Sequence, residues 1–253
     1  MSRMDGKVAI VTGAGSGIGR ATTGRLAANG ARVAVTDVDP DGLAETAAEI
    51  EATGAEVVQA TGDIVDPSTI DAVTRGALDA FGQVDVLVNN VGILIAKPIA
   101  EHTLEDFDRL MHVNVWSYMQ AVQRVVPEMQ RRGGGSIINI ASIGGLVALP
   151  NSAGYCASKA AVIGLTRSIA YEYAPEIRCN VICPGGVETP LSKAHIASME
   201  SPEEAIRLTT AQQLQKRFAK PVEIAEAIVF LATDESSFMT AATVPVEAGH
   251  SAW

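Results

Sequence analysis

Short apolar runs alternate with longer helical patterns along the whole chain, and this alternation restricts the fold more than any other feature. Val8 to Val11, Val33 to Thr36, Val57 to Ala60, Val84 to Val88, Ile137 to Ile140, Val181 to Ile182 and Thr243 to Val246 read as strands buried on both faces. Strands that alternate with helices form β-α-β units, which assemble into one doubly wound α/β sheet of seven parallel strands, with helices on both faces. Asp39-Pro40 and Asp66-Pro67 each place an N-cap before a proline at the first helical position, and Lys220-Pro221 opens another helix the same way. Two longer helices are predicted, from about Thr103, where Thr103-x-x-Asp106 resembles a capping box, to about Arg131, and from about Ser152 to Tyr173. In the second, Ala157, Ala160, Ala161, Gly164, Ser168 and Ala170 are small enough for the sheet or a second subunit to approach closely. Gly133-Gly134-Gly135 falls between a helix and a strand and reads as a loop, so the expectation is a single domain over 1–253.

Composition then narrows the partners. Hydrophobic residues make up 47% of the chain and charged residues 19%, which is ample for a core and far from a disordered composition. The formal net charge of -10 repels phosphate backbones and anionic lipid, so neither nucleic acid nor membrane is an expected partner. Cys156, Cys179 and Cys183 show no C-x-x-C spacing and read as reduced, buried, small apolar residues. His102, His112, His195 and His250 are scattered without metal spacing, so no metal is expected. The stretch Met1 to Lys7 is short and polar, and no run approaches the ~18 apolar residues of a membrane span. A cytoplasmic protein is expected.

The first strand leads into Thr12-Gly13-Ala14-Gly15-Ser16-Gly17-Ile18-Gly19 and then a helix from about Arg20. A glycine-rich turn in that position exposes backbone N–H groups at a helix N-terminus, which suits a dinucleotide pyrophosphate; an ordinary tight βα turn is the other reading. The spacing is Gly13-x-x-x-Gly17-x-Gly19 and not G-x-G-x-x-G. Asp37 ends the second strand close to the offset at which a carboxylate accepts adenosine ribose hydroxyls and repels a 2'-phosphate. With Ser16 rather than a basic residue before Gly17, the turn favours NAD over NADP.

Tyr155-Cys156-Ala157-Ser158-Lys159 sets a phenol and an ammonium one helical turn apart, on one face. A tyrosine with an ordinary pKa near 10 needs a cation and low dielectric to serve as a base near neutrality, and Lys159 can supply the cation. An exposed pair on an amphipathic helix is the bland alternative.

Taken in order, Thr12-Gly13-x-x-x-Gly17-x-Gly19, Asp63, Asn89-Asn90-Val91-Gly92, Ser142 with Tyr155-x-x-x-Lys159, and Asn180 through Pro184-Gly185 to Thr189 resemble the short-chain dehydrogenase/reductase family along essentially the full chain. The resemblance implies a Rossmann-type fold in a single-domain NAD-dependent oxidoreductase. It implies that Tyr155 acts as general base in alcohol oxidation and as acid in ketone reduction, that Tyr155 and Lys159 both contact the cofactor, and that Lys159 binds the nicotinamide ribose and lowers the phenol's pKa. Ser142 would bind the substrate oxygen, and Asn114 would hold a water linking Lys159 to solvent. On the cofactor side it implies Gly13, Ser16, Gly17, Ile18 and Gly19 at the pyrophosphate, with Asp37 at the adenosine ribose. Asp63 and Ile64 would meet the adenine, Asn90 the ribose side, and Pro184, Gly185, Val187 and Thr189 the nicotinamide end. Val91 replaces the family's usual alanine, and Val246-Glu247-Ala248-Gly249 its usual V-D-G-G. A homotetramer packed through the two long helices and the C-terminal edge is also implied.

Ile93, Leu94, Ile95, Ile143, Leu149, Leu191 and Met199 give the presumptive substrate segments an apolar character, which points to a secondary alcohol or ketone with a hydrophobic, alicyclic or steroid-like body. A substrate lid is expected at about 190–218, with Ala194 to Thr210 ordering on binding and His195 in the substrate region. The rival readings are a 3-oxoacyl-carrier-protein reductase, disfavoured by Asp37 and the acidic charge, and a sugar-nucleotide epimerase, whose usual glycine spacing is absent. A cofactor-binding regulator without turnover is the third, and it would not need the intact catalytic side chains.

Overall fold

The computed structural model describes residues 3–252, so Met1, Ser2 and Trp253 lie outside it. The chain runs β1 (Val8–Thr12), α1 (Gly17–Ala28), β2 (Arg32–Asp37), α2 (Pro40–Glu51), β3 (Val57–Thr61), α3 (Pro67–Phe81), β4 (Val86–Asn89) and α4 (Leu104–Met111). It continues through α5 (Ser117–Arg132), β5 (Gly135–Ile140), α6 (Ala153–Tyr173), β6 (Ile177–Pro184), α7 (Pro190–Ala197), α8 (Pro202–Gln212), α9 (Pro221–Ala232) and β7 (Thr243–Val246). The strands form one parallel seven-stranded sheet in the order β3-β2-β1-β4-β5-β6-β7. The order reverses between β1 and β4, and in such sheets ligands bind at the crevice beyond the carboxyl ends of the strands on either side of the reversal.

Alternation along each strand divides the core. Ala9 and Val11 of β1 pack with Leu26, Ile224 and Ile228 from α1 and α9, whereas Val8 and Ile10 pack with Val73, Val125 and Ile169 from α3, α5 and α6. Every residue of β1 is buried, as its continuous apolar run requires. The predicted caps form: Asp39 accepts the Asp41 N–H at 3.2 Å and Asp66 accepts the Ser68 N–H at 2.8 Å. Lys220 contributes its backbone: the Glu223 carboxylate accepts its N–H at 2.7 Å, and its carbonyl accepts the Glu223 N–H at 2.9 Å.

Five expectations are corrected. The strands β3 and β7 are not buried on both faces: they form the two edges of the sheet, none of their residues is fully buried, and Gln59, Thr61 and Pro245 are exposed. The segment Thr103 to Arg131 is not one regular helix: α4 and α5 are joined by a π-helical turn, His112–Trp116. Two strands differ in their bounds: β6 is longer, starting at Ile177, and β4 starts at Val86, just after Asp85, whose carboxylate accepts the Val8 N–H at 2.8 Å. Within the polar N-terminal stretch, Met4 is buried and its N–H bonds the Asn29 carbonyl. Cys179 and Cys183 are buried, but Cys156 is only half-buried.

The start of α4 is a full capping box. Thr103 Oγ1 accepts the Asp106 N–H at 3.2 Å, and the Asp106 carboxylate accepts the Thr103 N–H at 2.8 Å while pairing with Lys97. Thr103→Ala is expected to cost about 1 kcal/mol, read as a fall in Tm of about 2–4 °C for a chain of this size.

On α6 four of the six small residues do not serve the sheet, whereas Ala170 is buried in the core and Ala161 is half-buried. Ala157, Ala160, Gly164 and Ser168 face outward, while Ser158, Val162, Thr166 and Ile169 face the sheet. A Cβ built on Gly164 meets nothing within 4 Å. Among the described residues no helix is long and apolar enough to cross a membrane.

Candidate active site

A cavity of about 510 Å³ opens at the carboxyl ends of β1, β2, β4, β5 and β6. Its first wall is the turn after β1. Gly13 and Gly17 have φ of +67° and +53°, which an L side chain rarely adopts. Gly19 lies beneath the turn, where a Cβ would stand 1.9 Å from the Gly13 carbonyl oxygen. Asn90, at the end of β4, straps this turn by donating from Nδ2 to the Thr12 and Gly13 carbonyls, both at 3.0 Å. Ser16 sits at the N-cap of α1 without a side-chain cap bond, and the first turn of α1 carries no acidic residue. The N–H groups of that turn are thus left for an anion.

The second wall is acidic. Asp37 Oδ2 accepts the Gly15 N–H at 2.7 Å and Oδ1 accepts the Asp39 N–H at 3.0 Å, so the carboxylate is held beside the turn. Arg20, which sequence reading passed over, clamps the turn from outside: its guanidinium donates to the Gly15 carbonyl at 2.6 Å and the Gly42 carbonyl at 3.0 Å and pairs with Glu45. Asp63 and Ile64 line the same end.

The third wall carries Tyr155, Lys159 and Ser142. Lys159 is buried, donates to the Ile140 carbonyl at 2.9 Å, and lies 5.9 Å from the centroid of the Tyr155 ring. Gly92 makes room for it, since a Cβ there would meet Lys159 Nζ at 3.1 Å. Burial pulls Lys159 down to about 8, because the ammonium loses its water. Burial also raises the Tyr155 phenol, an effect the Ser142 hydroxyl partly offsets. Ser142 lies two residues beyond β5 and accepts the Gly144 N–H at 3.0 Å. The neighbouring Cys183 thiol is raised to about 11 by burial.

Asn114 does not line the cavity. It is buried in the π-helical turn behind Lys159, with Oδ1 accepting the Ile93 N–H at 2.8 Å and Nδ2 donating to the Ile93 carbonyl at 3.0 Å and to Ser158 Oγ at 2.9 Å. Thr189, with Pro184, Gly185 and Val187, lines the far end; its hydroxyl caps α7 by accepting the Ser192 N–H at 3.2 Å. The motif residue Asn180 is structural, bonding Met239 and Ala242 at the approach to β7.

Of the apolar residues expected around a substrate, Ile93 and Leu191 reach the cavity, while Ile143 is turned into the protein and Met199 lies away from it. None of the four histidines lines the cavity. Arg109 and Val113 of α4 and the π-helical turn do, one turn apart on the same face, and no motif announced them. The segment between Val187 and Ala219 leaves and re-enters at one point, where these two residues form a parallel bridge and the Glu188 N–H bonds the Ala219 carbonyl at 2.9 Å. It contains α7 and α8. Among the described residues no group of three or more His, Cys, Asp or Glu side chains is arranged to hold a metal ion.

A family model described as "Enoyl-(Acyl carrier protein) reductase" matches residues 13–251. The chain is 37% identical to the 3-oxoacyl-[acyl-carrier-protein] reductase of Thermotoga maritima, over 98% of each chain. It is 32% identical to a 2,5-dichloro-2,5-cyclohexadiene-1,4-diol dehydrogenase of Sphingobium indicum, over 99% of this chain and 98% of that one. The crystal structure of a levodione reductase, 35% identical and covering 99% of both chains, superposes with a TM-score of 0.95. These three relatives are named as reductases and a dehydrogenase. Sheet order, site geometry and these matches together make the chain an oxidoreductase acting on CH–OH groups, a member of the short-chain dehydrogenase/reductase family.

Proposed function

We propose that the protein is an NAD-dependent dehydrogenase that interconverts a secondary alcohol and a ketone carried on a hydrophobic, alicyclic body. One observation carries this reading: Tyr155, Lys159 and Ser142 converge on one wall of a cavity whose other end is an uncapped glycine turn beside the Asp37 carboxylate. The cavity fits a nicotinamide dinucleotide. The glycines leave backbone N–H groups clear for the pyrophosphate, Asp37 is placed to accept ribose hydroxyls, Asp63 and Ile64 stand at the adenine end, and Thr189 stands at the nicotinamide end. The bound nicotinamide supplies or accepts the hydride.

Ser142 would hold the substrate oxygen, and Tyr155 would take the hydroxyl proton in oxidation or return it in reduction. Lys159 would bind the nicotinamide ribose and, while protonated, favour the phenolate. Asn114, fixed to Ile93 and next to Lys159 across Gly92, would order the route by which the proton reaches solvent. Ile93 and Leu191 supply the apolar contacts for the substrate body, and 190–218 serves as the lid within one domain. The likeness to a ring-diol dehydrogenase supports an alicyclic substrate.

A spectrophotometric screen of secondary alcohols with NAD and NADP, with Tyr155→Phe as control, tests the reading. Turnover of cyclic alcohols with NAD supports it, and absence of turnover with every alcohol sinks it. Preference for a 3-oxoacyl carrier thioester with NADPH would instead favour the carrier-protein reading, which the likeness to the Thermotoga enzyme keeps in view.

We also assign a homotetramer and a cytoplasmic setting, the latter on the three unpaired cysteines. The outward small-residue stripe on α6 and the half-exposed Trp116 and Met119 at the start of α5 suit a helix-on-helix interface, and the fully exposed Phe238 suits a second contact by β7. Light scattering is expected to give four times the chain mass. A monomeric mass would refute the assignment.

A further inference from the structure

Ser158 belongs to neither the glycine turn nor the reacting groups, yet it joins two of the elements on which the proposed chemistry depends. It is fully buried, donates from Oγ to the Tyr155 carbonyl at 2.7 Å and accepts from Asn114 Nδ2 at 2.9 Å. A hydroxyl carries one hydrogen. Once that hydrogen is committed to the Tyr155 carbonyl, the oxygen can only accept, so Asn114 must present its NH₂ group and not its carbonyl. The rest of the amide then follows: the second N–H meets the Ile93 carbonyl and Oδ1 receives the Ile93 N–H. A reversed amide would set oxygen against oxygen at Ser158 and at Ile93, and would leave the Ile93 N–H facing an NH₂ group.

We infer that Ser158 is a positioning residue, whose hydroxyl fixes the direction of the Asn114 amide and thereby the Ile93 backbone and the surroundings of Lys159. The inference rests on the dehydrogenase reading. Asn114 Oδ1 and Lys159 Nζ both come within 3.5 Å of the point where a Gly92 Cβ would stand, so a turn of the amide is felt beside the ammonium. The bland alternative is that Ser158 merely back-bonds to the carbonyl three residues earlier, as helical serines do. That habit accounts for the bond to Tyr155 and not for the bond to Asn114, which is 44 residues away.

The test compares the isosteric pair Ser158→Thr and Ser158→Val, with Ser158→Ala, Asn114→Ala and the double Ser158→Ala/Asn114→Ala. In the protein without cofactor, amide hydrogen exchange at Ile93 is expected to quicken about tenfold or more in the Val and Ala variants and to stay near the parent rate in Thr. In turnover, Ala and Val are expected to lower kcat about tenfold, with KM within about threefold, and to move the acid limb of the oxidation profile to higher pH. The double variant should be no worse than Asn114→Ala, because both remove the same contact. Ile93 exchange equal in Thr and Val, or losses that multiply in the double variant, overturns the inference. A failure of the functional reading would show separately, as no turnover in the parent protein while the exchange result still stands.

Discussion

Tyr155→Phe is expected to lower the rate of alcohol oxidation by about a thousandfold, within the range by which a placed acid–base group accelerates proton transfer. The loss should fall on kcat, because the phenyl ring fills the same space, Lys159 keeps its place at the nicotinamide ribose, and most groups placed around a dinucleotide lie elsewhere: the β1 turn, Asp37 and the end of β6. Binding of reduced nicotinamide, read by fluorescence, should therefore stay within about threefold of the parent while turnover is lost. The pH dependence carries a second sign. Burial raises Tyr155 above its ordinary value and lowers Lys159 to about 8. Oxidation needs the deprotonated phenol, so its rate should climb through the alkaline range. Reduction needs the protonated phenol and should be level at neutrality, falling only in alkali. An oxidation profile that is flat from neutrality upward, or a Phe variant with unimpaired turnover, would remove Tyr155 from the proton-transfer role.

Much of this site could be read from the sequence, and the parts that could not share a physical cause. The central strands were legible because a run buried on both faces is largely apolar, as in Val8 to Val11 of β1, and the helix starts because Asp-Pro pairs satisfy the first N–H groups locally. The ordered motifs placed Tyr155, Lys159 and Ser142 on one cavity wall. What stayed hidden depends on contacts between segments distant in sequence. The π-helical turn at His112–Trp116 leaves the apolar periodicity nearly intact, and it coincides with the point where Asn114 reaches across to Ile93. The clamp from Arg20 to Gly42 and the Ser158 link to Asn114 likewise join residues that no local pattern pairs. Apolar character alone did not separate Ile93, which faces the cavity, from Ile143, which faces the interior. The small residues on α6 pointed to close approach without saying which side, and the structure turns four of them outward.

Asp37→Asn is expected to move cofactor preference toward NADP by about a hundredfold. The substitution keeps the shape of the side chain and leaves one oxygen to accept the Gly15 N–H, so the turn should hold its form, while the bond from the Asp39 N–H is given up. What changes is charge. Two unit charges about 4 Å apart interact by about 4 kcal/mol at an effective dielectric of 20, and Asp37 is half-exposed, so salt and water reduce this. A remaining repulsion of about 2–3 kcal/mol against a 2'-phosphate corresponds to about a hundredfold in affinity at 1.4 kcal/mol per factor of ten. NAD binding should weaken in the same variant, because an amide is a poorer acceptor than a carboxylate for two ribose hydroxyls. The guanidinium that clamps the turn, Arg20, is engaged with the Gly15 and Gly42 carbonyls and with Glu45, so it adds little attraction for the phosphate until those bonds open. Loss of repulsion should therefore dominate, and Asp37→Asn should accept NADP without binding it tightly. Dissociation constants for both cofactors across a range of salt concentration check this: the gain for NADP should shrink as salt rises. A parent protein that already prefers NADP, or a variant with unchanged preference, would place the adenosine ribose away from Asp37.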